Sequence, residues 1–235
     1  MQLDEVMTQL KEMGNEKQKH ILINHGAQEP FYNVRISDMK KLIKKIKKDH
    51  KLSLELYNTG NSDAMYMAGQ IADEKQITKE ILNDWVKKAY WSYLSEYTVP
   101  FIAAESRFGM ELALEWIESE DECICSAGWA TLTSLAIIKE DENLDLKKYA
   151  ELLERVGAKL QTSKNRVRYT MNGFVIAVGG SIIPLSKKAI EIAQSYGKVN
   201  VNMGNTACKV PSAVPYIEKM EKTGRMGYKK KKARY

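Results

Sequence analysis

Apolar residues recur with helical period along nearly the whole chain. Met39, Leu42, Ile43 and Ile46 fall at i, i+3, i+4 and i+7, which predicts one apolar face. Lys40, Lys44, Lys47 and Lys51 form a separate stripe on the same stretch, with Ser37 placed to cap its first turn. The same period predicts helices over 3–13, 16–24, 62–73, 78–91, 95–107, 109–118, 122–138, 145–161, 165–179, 185–196 and 211–222. Short breaks such as 58–61, 120–121 and 139–143 separate them. Pro30, Pro184, Pro211 and Pro215 fall at or near predicted helix starts, where a missing amide costs little, whereas Pro100 lies inside a helical pattern or in its first turn. The apolar run 174–178 keeps helical spacing with Val167 and Met171 and reads as a buried helix rather than a strand. No segment alternates with period two between hairpin turns, so the predicted class is all-α.

Short helices joined by short turns leave two architectures, a globular bundle or a stack of helix pairs. Helix centres rich in small residues recur at 64–72, 99–104, 125–130 and 172–177, roughly 30 to 45 residues apart. That interval brackets the period of HEAT-type repeats. Small residues at such centres would let the inner helices of successive pairs approach closely. The expected architecture is an α-solenoid of HEAT-like repeats over 1–224, followed by a basic tail over 225–235.

Composition narrows the functional classes. With 235 residues, 44% of them apolar, the chain can bury roughly 70–75% of its unfolded surface, so it needs neither disulfides nor a structural metal. Cys123, Cys125 and Cys208 are too few for a disulfide scaffold. No apolar run approaches the ~20 residues of a membrane span, and the charged start lacks a secretory core, so a cytoplasmic protein with no membrane partner is expected. The formal net charge of +6 resides in the last eleven residues, RMGYKKKKARY, which hold six cations and no acid. A second basic focus, KKLIKKIKKDHK over 40–51, contains seven lysines. Two basic foci on an otherwise neutral chain point to a polyanion partner. The tail is expected to hang in solution, with Tyr228 and Tyr235 available to stack on exposed bases.

Candidate chemistry concentrates in two places. Trp85, Tyr90, Trp91, Tyr93 and Tyr97 form a dense aromatic cluster beside Glu96; on one helix Tyr90, Tyr93 and Tyr97 would share a face, with Trp85 in ordinary packing. Gln161, Asn165, Arg168 and Asn172 fall within about 60° of one another around a helix, with Arg166 and Lys164 adding charge. Such a line of amides and a guanidinium suits phosphate contacts or, alternatively, a polar ladder between neighbouring repeats. Cys123 and Cys125 would point about 200° apart with no histidine nearby, and no glycine pattern matches a nucleotide loop, so neither a metal nor a cofactor is expected. His20, His25 and His50 lack a paired acid or nucleophile. The acidic run from Glu111 to Glu122 reads as the solvated back of the solenoid.

Four segments resemble the DNA alkylation repair family of HEAT-like repeat proteins: YNVRISDMKKLIKK (32–45), KAYWSYLSEYTVP (88–100), NRVRYTMNGF (165–174) and NTACKVPSAVPY (205–216). The resemblance implies a concave basic surface that cradles duplex DNA and, in one branch, a monofunctional glycosylase excising cationic N3- and N7-alkylated purines. It implies that the family's catalytic aspartate falls at or next to Glu96, with Trp91 and Tyr93 supplying electron-rich faces to a developing sugar cation. The lysine stripe of Lys40, Lys44 and Lys47 and the polar stripe of Asn165, Arg168 and Asn172, with Arg166, are expected to contact DNA, as is Phe174, which by the resemblance stands where the family has a late tryptophan. The family's DNA-positioning arginine falls near Ala127–Gly128, where this chain has no base. The expected function is therefore DNA binding of the alkylation-repair type by a monomer, with or without excision. The alternatives are a solenoid that recognises DNA structure without chemistry and a scaffold whose concave face binds a protein helix.

Overall fold

The structure, a computed structural model, describes residues 1–234. Its helices are α1 (Leu3–Met13), α2 (Lys19–Asn24), α3 (Ile36–Ile46), α4 (His50–Asn58), α5 (Ser62–Ile71), α6 (Lys79–Lys88), α7 (Ser92–Tyr97), α8 (Val99–Glu105), α9 (Gly109–Trp116), α10 (Glu122–Ile138), α11 (Leu146–Lys159), α12 (Asn165–Ser181), α13 (Ser186–Tyr196) and α14 (Ala213–Lys222), with no strand among the described residues.

Several starts have a local cause. The side chains of Asp49, Asn61, Thr78, Asp121 and Asp145 each accept from a first-turn amide, for example Asp145 Oδ1 from Lys148 N at 2.9 Å, which satisfies donors no helix can pair internally. Ser37 does not serve in this way, because α3 starts one residue before it with Arg35 at the cap. The spacing does not show α4: it starts only at the end of the lysine-rich run, four residues after α3, and Leu52, Leu56 and Tyr57 suffice to bury it. The predicted 95–107 helix is two helices. Pro100 has no N–H to offer the Glu96 carbonyl, so the chain turns at Thr98 and α8 begins with the proline in its first turn. The predicted 78–91 helix stops at Lys88, so Tyr90 leaves the face it was expected to share and donates its hydroxyl to Gly60 O at 3.0 Å. Pro30 lies in an irregular loop rather than at a helix start.

The helices pair across two layers. An inner layer of α5, α7–α8, α10, α12 and α14 packs side by side, and α4, α6, α9, α11 and α13 cover it. Two buried apolar clusters meet at α9–α10: Trp116 and Ala127 belong to the first, Ile117 and Trp129 to the second. The two helices approach closely at Gly128, where a Cβ would stand 2.7 Å from the backbone nitrogen of Ile117, so α10 seats on α9 only without a side chain there. Among the described residues no single helix is long and apolar enough to cross a membrane.

The basic tail does not hang in solution. It runs back across the carboxyl ends of four inner helices in turn. Gly227 N donates to Gly180 O of α12 at 2.8 Å, and Lys230 N to Ile137 O of α10 at 2.7 Å. Lys229 Nζ meets Ala136 O at 2.9 Å and Asp141 at 2.8 Å. Ala233 packs against Ala104 and Leu135. Arg234, 8% exposed, ends the run by bonding the α5 carbonyls of Gly69, Gln70 and Ala72 and the carboxylates of Glu74 and Glu105. Free carbonyls and the negative end of the helix dipole make each of these ends a cation site, which is why the tail finds them. Tyr228 stays exposed, and Tyr235 lies outside the described residues.

Candidate nucleic-acid interface

The free faces of α7, α8, α10 and α12 form a groove made of two contiguous hollows of 230 and 360 Å³ that share Thr133, Ile137, Gly173 and Pro211. Tyr97, Phe101 and Tyr169 give the floor its aromatic character. Pro211 closes one rim, and Arg225, Tyr228 and Lys230 of the tail stand along the other part. Glu96 is the one carboxylate in this lining.

Glu96 lies at the last turn of α7, 3% exposed. Both of its carboxylate oxygens are taken by one guanidinium: Arg166 Nε to Oε1 at 2.7 Å and Arg166 Nη2 to Oε2 at 2.6 Å. Burial pushes the Glu96 carboxyl above the usual range, and the guanidinium opposes that shift without cancelling it. Arg166 is itself held in place: its ring-face contact to Tyr169 is 4.4 Å, and its backbone N–H donates to Glu122 Oε1 at 2.8 Å. Glu122 therefore turns inward rather than lying on the solvated back, whereas Glu111 and Glu115 pair with Lys79 on the outside.

The expected catalytic trio does not share a cavity. Trp91 and Tyr93 line a separate hollow of 230 Å³ with Asn33, Arg35 and Asp63. Trp91 is 7% exposed and belongs to the first apolar cluster, and Tyr93 stacks on Tyr66 at 4.9 Å. The break at 89–91 places Trp91 at the cap of α7, on the side away from the last turn that carries Glu96. Trp85 is ordinary packing: it stacks on Tyr57 with ring centres 4.0 Å apart.

The expected DNA-contacting residues divide in the same way. Phe174 is fully buried between Trp129 and Tyr149, with ring centres at 5.2 and 5.7 Å, and is core. Arg166 is committed to Glu96. Gln161, Asn165 and Asn172 prove to be a polar ladder, but one that grips a loop instead of a neighbouring repeat. Gln161 Nε2 donates to Tyr196 O and Lys198 O at 2.7 and 3.0 Å. Asn165 exchanges two bonds with the Asn202 backbone at 2.9 and 2.7 Å. Asn172, 1% exposed, donates to Pro211 O and accepts from the Tyr196 hydroxyl. The held segment, 197–212, reaches the opposite end of the molecule, where Asn205 N donates to Asn24 O at 3.0 Å. Lys40 and Lys44 of α3 and Lys47 just beyond its end are exposed but line neither hollow of the groove.

Asp63 was missed. It accepts from three consecutive amides, Tyr32 N, Asn33 N and Val34 N at 2.6, 3.0 and 3.3 Å, and so pins the 32–34 segment onto the start of α5. Its burial raises its pKa, against the lowering effect of those bonds. An acid in the first turn of an apolar, small-residue helix was the available signal, and nothing in the spacing told that its partners lie some thirty residues upstream.

A family model described as DNA alkylation repair enzyme matches residues 6–214. The proteins Lmo0209 of Listeria monocytogenes serovar 1/2a and Lin0241 of Listeria innocua serovar 6a are each 37% identical to the chain over 222 residues, covering 92% of it and 96% of themselves. A solved structure described as "a new family of proteins related to the HEAT-like repeat DNA glycosylases with affinity for branched DNA structures" superposes with a TM-score of 0.91 at 38% identity, over 98% of both chains. Paired helices in two layers, an aromatic groove across the inner one and these matches along nearly the full length have one common explanation: the chain belongs to the DNA alkylation repair enzyme family and has its HEAT-like repeat fold.

Proposed function

We propose that this protein binds branched DNA along the groove and does not excise bases. The observation that carries the proposal is the bidentate Arg166–Glu96 pair. A carboxylate that stabilises a sugar cation and orients water needs an oxygen free to face the substrate, and here both are occupied in a desolvated site. The affinity for branched DNA of the similar solved protein supports the same reading. Branch points interrupt the continuous base stack, and Tyr97, Phe101 and Tyr169 offer faces on which a base freed there would stack. Arg225 and Lys230 at the rim, with the α3 lysines outside it, supply phosphate contacts that carry no sequence information. A monomer working in the cytoplasm without a metal or cofactor completes this reading.

Fluorescence anisotropy with a four-way junction, a fork and a linear duplex of equal length tests it. The junction is expected to bind at least about tenfold more tightly than linear duplex, with affinity falling steeply with salt at a log–log slope of about −0.9 per neutralised phosphate. Stoichiometric protein is expected to release no purine from alkylated duplex. Equal affinity for all three DNAs, or purine release that is lost in Glu96→Gln, would overturn the proposal.

A further inference from the structure

A cavity of 820 Å³ lies between the amino-terminal half of α12 and the 197–212 segment, meeting the hollows of the groove at Pro211 alone. Its construction follows from the ladder. Gln161, Asn165 and Asn172 fasten the segment to α12, and the chain arches between those points. Arg168, the fourth member of the stripe, holds none of the arch. Its one bond is a long contact from Nη2 to Asn165 Oδ1 at 3.4 Å, and its Nε is shut off from solvent with no acceptor. A buried N–H without a partner is costly, and a guanidinium in that condition is short of an anion.

The rest of the lining is suited to one. Arg168, Lys198 and Lys209 bring three cations, and no carboxylate lines the cavity. Neither lysine forms an ion pair among the described residues, and both are exposed at the mouth. Asn200 and Asn202 supply amides, while Val199 and Val210 give an apolar wall. Planar guanidinium donors match phosphate oxygens in pairs, and the volume lies within the range of small-ligand sites, well beyond that of a bare phosphate ion.

We infer that this cavity binds the phosphate of a nucleotide, with Arg168 as the central contact, Lys198 and Lys209 flanking it and the base against the valine wall. The nucleotide is either free or the phosphorylated end of a strand; both present the same phosphate. The inference does not rest on the groove reading, because ligand binding here and junction binding there are measured separately.

Isothermal titration of the full chain with adenosine 5′-monophosphate, adenosine and a 5′-phosphorylated tetranucleotide tests it. One equivalent of a phosphorylated probe is expected to bind, and adenosine at least tenfold more weakly. Arg168→Gln is expected to weaken binding by about tenfold or more, the value of a charge-assisted contact. Tighter binding of the tetranucleotide than of the monophosphate assigns the site to strand ends, and the reverse order to free nucleotides. Lys198→Glu with Lys209→Glu, on exposed positions, is expected to repeat the loss without disturbing the fold. No binding of either phosphorylated probe at about 1 mM, or equal affinity in wild type and in both variants, would overturn the inference. If wild type fails to bind junctions yet binds the monophosphate, the groove reading falls and the cavity stands.

Discussion

Arg234→Ala would test how the end of the chain is held. The side chain is 5% exposed and Glu105, its principal partner, 7%. Alanine removes two bonds to Glu105 Oε2, at 2.9 and 2.6 Å, one to Glu74 at 2.9 Å, and three to the closing carbonyls of α5. Glu74 keeps Lys48 at 2.6 Å, so the damage falls on Glu105, which retains only the Arg234 backbone N–H. Removing one partner of a buried pair leaves a desolvated charge and costs about 3–5 kcal/mol. The lower end applies here, because a chain terminus can lift and admit water. A loss of about 3 kcal/mol in a chain of this size lowers Tm by roughly 6–12 °C. Urea unfolding of wild type, Arg234→Ala, Glu105→Gln and the double variant gives the coupling between the pair, expected at about 2 kcal/mol or more. Lys232→Ala, on an exposed neighbour, should stay within about 0.5 kcal/mol of wild type. An Arg234→Ala protein as stable as wild type, with an unchanged denaturant slope, would refute the account of the tail as a strap.

Gly128→Ala should destabilise by about 1–3 kcal/mol because the added carbon meets the Ile117 backbone, whereas Gly173→Ala, which meets nothing within 4 Å, should stabilise α12 by about 0.5–1 kcal/mol; thermal melts read both. Gly204 has φ +75° and a Cβ there would stand 2.0 Å from Asn24 O, so Gly204→Ala should detach the loop tip and speed amide exchange of Asn205 while leaving the core protected. Asp73 is held down at about 2, first by the Gln76 side chain and the Lys75 amide and then by Lys48, so its stabilising effect is complete above its ordinary value of 3.8 and fades as pH falls toward 2. Asp73→Asn should therefore be less stable than wild type at neutral pH, with the difference closing in acid denaturation curves.

Much of the fold was open to reading from spacing alone. The apolar stripe of α3, the buried run in α12 and the small-residue centres that seat α10 on α9 all follow from helical period and side-chain size, which are properties of neighbours in the chain. The boundaries that differ have local causes: Pro100 removes one hydrogen bond and splits a helix, and α4 is short and starts only where the lysine-rich run ends. Period says which residues share a face. It does not say what that face meets.

That second question decided the site. The stripe Gln161, Asn165, Arg168 and Asn172 was visible as a pattern, but only the path of the 197–212 segment turned three of its members into loop anchors and left Arg168 with one long contact and an unpaired Nε. Glu96 and Arg166 stand seventy residues apart and read in the sequence as separate candidates for separate tasks; folded, they neutralise one another. The tail looked like free charge because nothing in its own eleven residues names an acceptor. Its acceptors are the carbonyl ends of three helices and the carboxylates of Glu74, Glu105 and Asp141, scattered between Gly69 and Gly180, a set assembled only when the inner layer packs. Electrostatic and hydrogen-bonding partners act through space over a few ångströms, so their pairing is a property of the tertiary structure even where each member can be picked out in the chain.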